Sequence, residues 1–493
     1  MAMIVETAQG RLEGFARDGV SRFNGIPYAK PPVGPLRWRA PEAPEVWAGI
    51  RAASRFGGIA PQVRSAAEAV IGGTPGEQSE DCLYLNVWTP GTDGKRPVMV
   101  WVHGGAFVTG AGTIGTYNGK HLATHGDVVV VTINYRLGAL GFLNLRDATG
   151  GKHEARGVEG LLDQIAALQW VKENIARFGG DPENVTLFGE SAGAMSIGAL
   201  LAMPSARGLF HKAILQSGAA HIGKRRDSSA KIAKSILDRL GVHDASHLAN
   251  VPLEAVVKAQ ADVLSGRRNG GGLPFAPTID GDLLPVRAIE AVREGSAKGI
   301  ALISGTTMEE WKLFTVARPK LRLMGAATLE KYTSNLVGKA HADALLATYS
   351  EGSNFERWNA MMTDRSFALP SARLLEAQSA YAPVFSYRFD WRSPLLGGVL
   401  GSCHALEIGF VFGTYNQKHA GLFFGSGPKA DALSAAMMED WIAFAHGKEP
   451  WPRYDSTNRA TMMFGENDPH VTNAPDDSRR AVWDAVPEER IGP

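Results

Sequence analysis

The sequence is short of several features, and each shortage closes off a class of function. It has two cysteines in 493 residues, Cys82 and Cys403. That is too few for a disulfide framework or a structural zinc cage, so two buried thiols in a reducing compartment are expected. No sign of charge dominates: Lys+Arg 51 against Asp+Glu 50 leaves a net charge of +1. Such a balance gives no field to gather nucleic acid and no acidic tail. Long apolar runs are missing as well. The stretch Val128 to Val131 is strand-sized, and no membrane span is expected. The opening residues Met1 to Glu6 carry no basic segment, so neither a secretory signal nor an anchor is expected, and a cytoplasmic address follows. There is no internal repeat or low-complexity tract. The 57 glycines and 27 prolines are scattered instead of gathered into a linker, which favours one large domain over residues 1–493.

What is present is an alternation of buried strands and helices. Pro97 to Val102, Val128 to Ile133, Val185 to Phe188 and Lys212 to Gln216 read as strands, the first two unbroken by polar alternation, as parallel strands covered on both faces tend to be. Gly299 to Ile303 and Pro383 to Tyr387 are later candidates. Between Gly160 and Phe178, apolar residues recur every three or four positions, which predicts an amphipathic helix ending at Gly179-Gly180. The fold class expected is α/β, with a doubly wound, mostly parallel central sheet and helices on both faces. Residues 60–79 lack periodicity and read as a long surface loop. The stretch from about 315 to 400 is expected to supply helices that cap the site.

Two glycine-rich segments carry the chemistry. Gly189-Glu190-Ser191-Ala192-Gly193 fits Gly-x-Ser-x-Gly at a strand-to-helix junction, where a sharp turn lifts the Ser191 hydroxyl above the strand ends and aims the Ala192 amide at its target. His103-Gly104-Gly105-Ala106-Phe107 follows the strand ending at Val102, and its small residues let backbone amides approach a substrate oxygen. A serine hydroxyl also needs a base. His103 precedes the serine, whereas in this arrangement the order is serine, acid, histidine, so His103 reads as structural. Of the nine later histidines (211, 221, 243, 247, 341, 404, 419, 446 and 470), His404 follows the strand candidate near Tyr387 on a loop suited to present it. For the acid, Glu309 and Glu310 both follow the strand ending at Ile303, and spacing alone does not separate them.

Taken together, these segments resemble the type-B carboxylesterase family of α/β-hydrolases, which includes bacterial para-nitrobenzyl esterases and cholinesterases. The resemblance extends through Phe23 to Ala29, Glu80 to Trp88, Asn134 to Gly138, Gly160 to Gln164, Phe178 to Pro182, Gln216-Ser217-Gly218 and the His404 segment, over nearly the whole chain. It implies Ser191 as nucleophile, Glu310 as acid and His404 as base, with the amides of Gly105, Ala106 and Ala192 as oxyanion hole. It further implies Glu190 and Ser217 as supporting residues, and Arg37 with Glu80 and Arg136 with Asp163 as structural ion pairs. Ala60 stands where eukaryotic members have a cysteine that pairs with position 82, so Cys82 should be a free thiol. Ala106 replaces a glycine, and Trp311 replaces a small residue beside Glu310. The implied activity is hydrolysis of small to medium carboxylic esters through an acyl-enzyme, with water as second substrate and no metal or organic cofactor. The same residues suit an amide, carbamate or polyester, and a non-catalytic recognition protein is the alternative from another class. Trp311, Phe314, Met324 and Phe367 are candidate pocket walls, and Phe107 with the 60–79 loop is a candidate for narrowing the entrance. Oligomeric state leaves no signal.

Overall fold

The computed structural model describes residues 2–63, 76–266, 272–418 and 420–492. Most of the loop expected over 60–79, and His419, lie outside the described residues.

The apolar runs form the centre of one large sheet. Its strands are β1 (Ala2–Thr7), β2 (Gly10–Arg17), β3 (Val20–Pro27), β4 (Ile50–Ala52), β5 (Tyr84–Thr89), β6 (Arg96–Val102), β7 (Val129–Ile133), β8 (Gly180–Glu190) and β9 (Lys212–Gln216). A short parallel pair, β10 (Lys224–Arg225) and β11 (Thr278–Ile279), lies apart. The sheet continues with β12 (Ala301–Thr307), β13 (Val384–Phe389), β14 (Ala460–Phe464) and β15 (His470–Asn473). The order across it is β1-β2-β3-β5-β7-β6-β8-β9-β12-β13-β14-β15, with β4 beside β2. From β7 through β14 every pairing is parallel, while β1, β2, β3 and β5 join antiparallel at one edge and β15 at the other.

Strand alternation divides the interior in two. Val98, Val100 and Val102 of β6 point into a core with Leu161, Leu168 and Val171 of the helix Glu159–Asn174, while Met99 and Trp101 point into another with Leu433, Met437 and Trp441 of the helix Pro428–Ala445. Helices therefore cover both faces, which is why these strands are apolar at consecutive positions. Each fully buried valine or leucine contributes roughly 1.5–3 kcal/mol of transfer free energy. Helices at Ala326–Val337, Lys339–Thr348, Asn354–Thr363 and Leu369–Ser379 occupy the region expected to be helical. The helical stretch stops at Ser379, since β13, inside the 315–400 span, belongs to the sheet. A third, smaller core formed there with Trp483 encloses Met324, 9% exposed, which is thus a core residue and not a pocket wall.

Two sequence expectations concern stability and are met. Arg136 and Asp163 pair at 2.7 Å, and Arg37 and Glu80 at 2.5 Å. Cys82 and Cys403 are free and buried, and burial pushes both thiols up, away from the reactive thiolate.

Candidate active site

The carboxyl ends of β6, β8, β9, β12 and β13 converge where an open parallel sheet presents its ligand site. β8 ends at Glu190, and Ser191 turns the chain with φ 55° and ψ −124° into the helix Ala192–Leu200. This turn is feasible because its flanking residues are glycines. A Cβ on Gly189 would lie 2.6 Å from the Val102 carbonyl oxygen, and one on Gly193 would strike the same atom. A non-glycine residue held at positive φ costs about 1–3 kcal/mol, so the surroundings must over-determine it. Here the Ser191 amide donates to Gln216 O at 2.9 Å and its carbonyl accepts from Met195 N at 2.8 Å.

His404 and Glu310 meet across 94 residues of sequence. His404 Nδ1 lies 2.6 Å from Glu310 Oε2, whose other oxygen accepts the Thr307 amide at 2.8 Å. The imidazole is 4% exposed and Glu310 is fully buried. Nε2 of His404 makes no hydrogen bond among the described residues. Glu190 Oε1 lies 3.0 Å from it, off hydrogen-bonding alignment. A Cβ on Gly104 would come 2.9 Å from Glu190 Oε2 and 3.0 Å from Ser191 Cβ, so the serine, the imidazole edge and the glycine segment share one corner. Glu309, the rival acid, does other work. Its carboxylate accepts the Ser402 amide at 2.9 Å and pairs with Lys312 and Arg392, clipping the loop that carries His404.

A third carboxylate, which sequence reasoning did not assign, completes the group. Glu407 Oε1 accepts weakly from Gln216 Nε2 and Ser217 Oγ, both at 3.4 Å, so Ser217 reaches the site through it. Nothing in its spacing three residues after His404 announces this, since Ala405 at φ 67° breaks any helical repeat between them. Burial pushes Glu190 up to about 8 and Glu407 up to about 7. Burial alone would lower His404, but the Glu190 and Glu310 carboxylates outweigh it and raise the imidazole to about 9.

The segment after β6 is held so that its amides stay free. Gly105, Ala106 and Phe107 have φ of 108°, 55° and 63°, three successive residues on the positive-φ side of the backbone map. Its carbonyls are engaged elsewhere: His103 O by Tyr135 Oη at 2.8 Å, Gly105 O by Val108 N and Thr109 N at 3.0 Å, and Phe107 O by Gly138 N at 2.6 Å. Among the described residues, the amides of Gly105, Ala106 and Ala192 donate to no protein group. His103 is buried and stacked on Tyr135 at 4.5 Å, and burial lowers it to about 4, so it is a neutral packing residue. Phe107 is fully buried against Phe142 and does not narrow an entrance. Phe314 and Phe367 stand 5.1 and 4.9 Å from the His404 ring, with Trp311 behind them at 5.0 and 6.3 Å, forming an aromatic wall.

Residues 1–483 match the model of the carboxylesterase family. The para-nitrobenzyl esterase of Bacillus subtilis (strain 168) is 41% identical over 487 residues, covering 97% of each chain. The phenmedipham hydrolase of Pseudarthrobacter oxydans is 35% identical, covering 95% of this chain and 96% of that one. A solved PNB esterase structure superposes with a TM-score of 0.86 at 40% identity, covering 98% of this chain and 100% of the other. The likeness therefore extends over the sheet and the corner just described.

Proposed function

Since the chain belongs to the carboxylesterase family and is a carboxylesterase, we propose that it hydrolyses small to medium carboxylic esters by two-step acyl transfer at Ser191. His404 Nε2 takes the proton of the hydroxyl as its oxygen adds to the ester carbonyl. Glu310 holds the imidazole by Nδ1–H and stabilises the imidazolium. The carbonyl oxygen, becoming an oxyanion, is received by the amides of Gly105, Ala106 and Ala192. His404 then protonates the departing alcohol. Water, deprotonated by the same nitrogen, releases the acid and restores Ser191.

The observation that supports this most is the 2.6 Å contact of His404 Nδ1 with a fully buried Glu310, while Nε2, beside the serine turn, has no hydrogen bond among the described residues. Three amides without acceptors among the described residues support the oxyanion assignment, each such donor being worth about 3–4 kcal/mol in the transition state. Free thiols at Cys82 and Cys403 accord with a reducing, cytoplasmic setting.

The test is Ser191→Ala assayed on a short-chain aryl ester. Turnover is expected to fall by about 10⁵–10⁶-fold with the thermal midpoint unchanged. Substantial remaining turnover would refute the assignment. A matched ester and amide pair, compared by kcat/KM, separates esterase from amidase preference, because leaving group and pocket shape decide that ratio.

A further inference from the structure

Gln62 is a polar residue at 3% exposure, and its amide group is fully used. Nε2 donates to the carbonyls of Ala60 at 2.9 Å and Gly110 at 3.0 Å, and Oε1 accepts the Gly110 amide at 2.8 Å. The exchange with Gly110 runs both ways, so one side chain engages both polar groups of one backbone residue. The backbone of Gln62 is anchored separately. Its N–H donates to Gln78 Oε1 at 3.0 Å, and Ile59 bridges to Gln78.

Gly110 lies directly against the oxyanion segment. A Cβ placed there would sit 2.5 Å from both Gly104 O and His103 Nδ1, so its backbone packs on the residues that lead into Gly105. That segment holds Ala106 and Phe107 at positive φ, a conformation costing roughly 1–2 kcal/mol for each side-chain-bearing residue. Left unsupported, it would relax and turn its amides away from a common point. Tyr135 and Gly138 hold it from the β7 side, through His103 O and Phe107 O. The Gln62 amide holds Gly110, which packs on Gly104 and the His103 ring.

From this geometry we infer that Gln62 is a positioning residue of the esterase reaction: its side-chain amide clamps Gly110 and thereby fixes the direction of the Gly105 and Ala106 N–H groups. The inference rests on the assignment of those amides as oxyanion donors. Gln62 touches no reacting atom. It acts through the backbone, and a hydrophobic side chain of similar length would fill the space without supplying the clamp.

The experiment uses an aryl trifluoromethyl ketone. Ser191 Oγ adds to the ketone carbon, its proton passes to His404, and the carbonyl oxygen becomes an oxyanion that the three amides receive. Inhibition constant, kcat/KM on an aryl ester and thermal midpoint are measured for wild type, Gln62→Met and Gln78→Met. Gln62→Met should weaken the ketone and lower kcat/KM in parallel by about tenfold, less than the 10²–10³ that deletion of a donor itself costs. Among the described residues, Gln78→Met removes only the bond to the Gln62 backbone, and it should leave ketone affinity within twofold even where the midpoint drops. Should Gln62→Met fail to fold, Gln62→Leu, which likewise offers Gly110 neither donor nor acceptor, takes its place with the same expectation. Ketone affinity within twofold of wild type in the Gln62 variant, or an equal loss in both variants, overturns the inference. If Ser191→Ala still hydrolyses the ester or wild type ignores the ketone, the active-site assignment fails and the clamp falls with it. With both controls as expected, a negative result counts against the clamp alone.

Discussion

Two buried charged clusters in this protein are built on opposite terms. In the first, Asp163 accepts Arg136 N at 3.0 Å, Nε at 2.8 Å and Nη2 at 2.7 Å, while Nη1 donates to Arg39 O at 2.7 Å. Every side-chain nitrogen of Arg136 and both oxygens of Asp163 have a partner, which is what the loss of hydration demands of a buried pair. In the second, three carboxylates (Glu190, Glu310 and Glu407) surround one imidazole. Glu190 Oε1, Glu407 Oε2 and His404 Nε2 have no hydrogen-bond partner among the described residues. The first cluster is complete as it stands. The second has protons and charge to give or receive, and that unmet capacity separates a reactive corner from a structural one.

Substitutions that remove one carboxylate from each cluster should part along this line. Glu310→Gln keeps the shape of the second cluster and the Thr307 contact but reverses the demand on His404 Nδ1. It should lower kcat by about 10⁴-fold, seen in ester hydrolysis, with little change in the urea unfolding midpoint. Asp163→Asn should do the reverse. It strands the Arg136 charge in the core at a cost of about 3–5 kcal/mol by urea denaturation, while the folded enzyme keeps kcat/KM within a few-fold. Loss of activity without loss of stability in Asp163→Asn would erase the distinction.

A smaller effect sharpens it. In the proposed mechanism His404 must be unprotonated to accept the serine proton, and the Glu190 carboxylate favours the protonated form. Glu190→Gln should therefore lower the imidazole pKa and move the acid limb of the kcat/KM profile to lower pH by about one unit. The linked stability has a definite sign. Groups whose pKa rises on folding, His404 towards about 9 and Glu190 towards about 8, favour the fold at low pH and withdraw that support as pH climbs. The wild-type unfolding midpoint should fall as pH climbs from about 4.5, where unfolded Glu190 ionises, to about 9, and less so in Glu190→Gln. The smallest expected change is at the surface. Arg39 and Glu154, with side chains 53% and 78% exposed, pair at 3.2 Å in water, and Arg39→Ala should not move the thermal midpoint measurably.

The residues legible in advance were those whose constraint is local. Consecutive apolar residues revealed β6 and β7, and the two glycines around Ser191 revealed the turn. β8 was legible only over Val185 to Phe188, because Asp181, Glu183 and Asn184 mask its first half. The antiparallel edge of β1, β2 and β3 escaped notice because its faces are unevenly buried and interrupted by Gly10, Gly14 and Pro27. Choosing between Glu309 and Glu310 needed the family pattern, since both leave the same strand and only three-dimensional packing sends one to the imidazole and the other to the Ser402 amide. Gln62 could not be read at all: its partner Gly110 is 48 residues away, and nothing in either residue's surroundings announces the pairing.

The most direct measurement is covalent trapping. The enzyme is treated with an aryl fluorophosphonate, digested and mapped by mass spectrometry, with residual ester hydrolysis followed in parallel. The account predicts a single adduct on Ser191 whose formation tracks the loss of activity and is strongly slowed in His404→Ala. A fully labelled Ser191 in an enzyme that still turns over ester, or inactivation with the adduct on another residue, would contradict it.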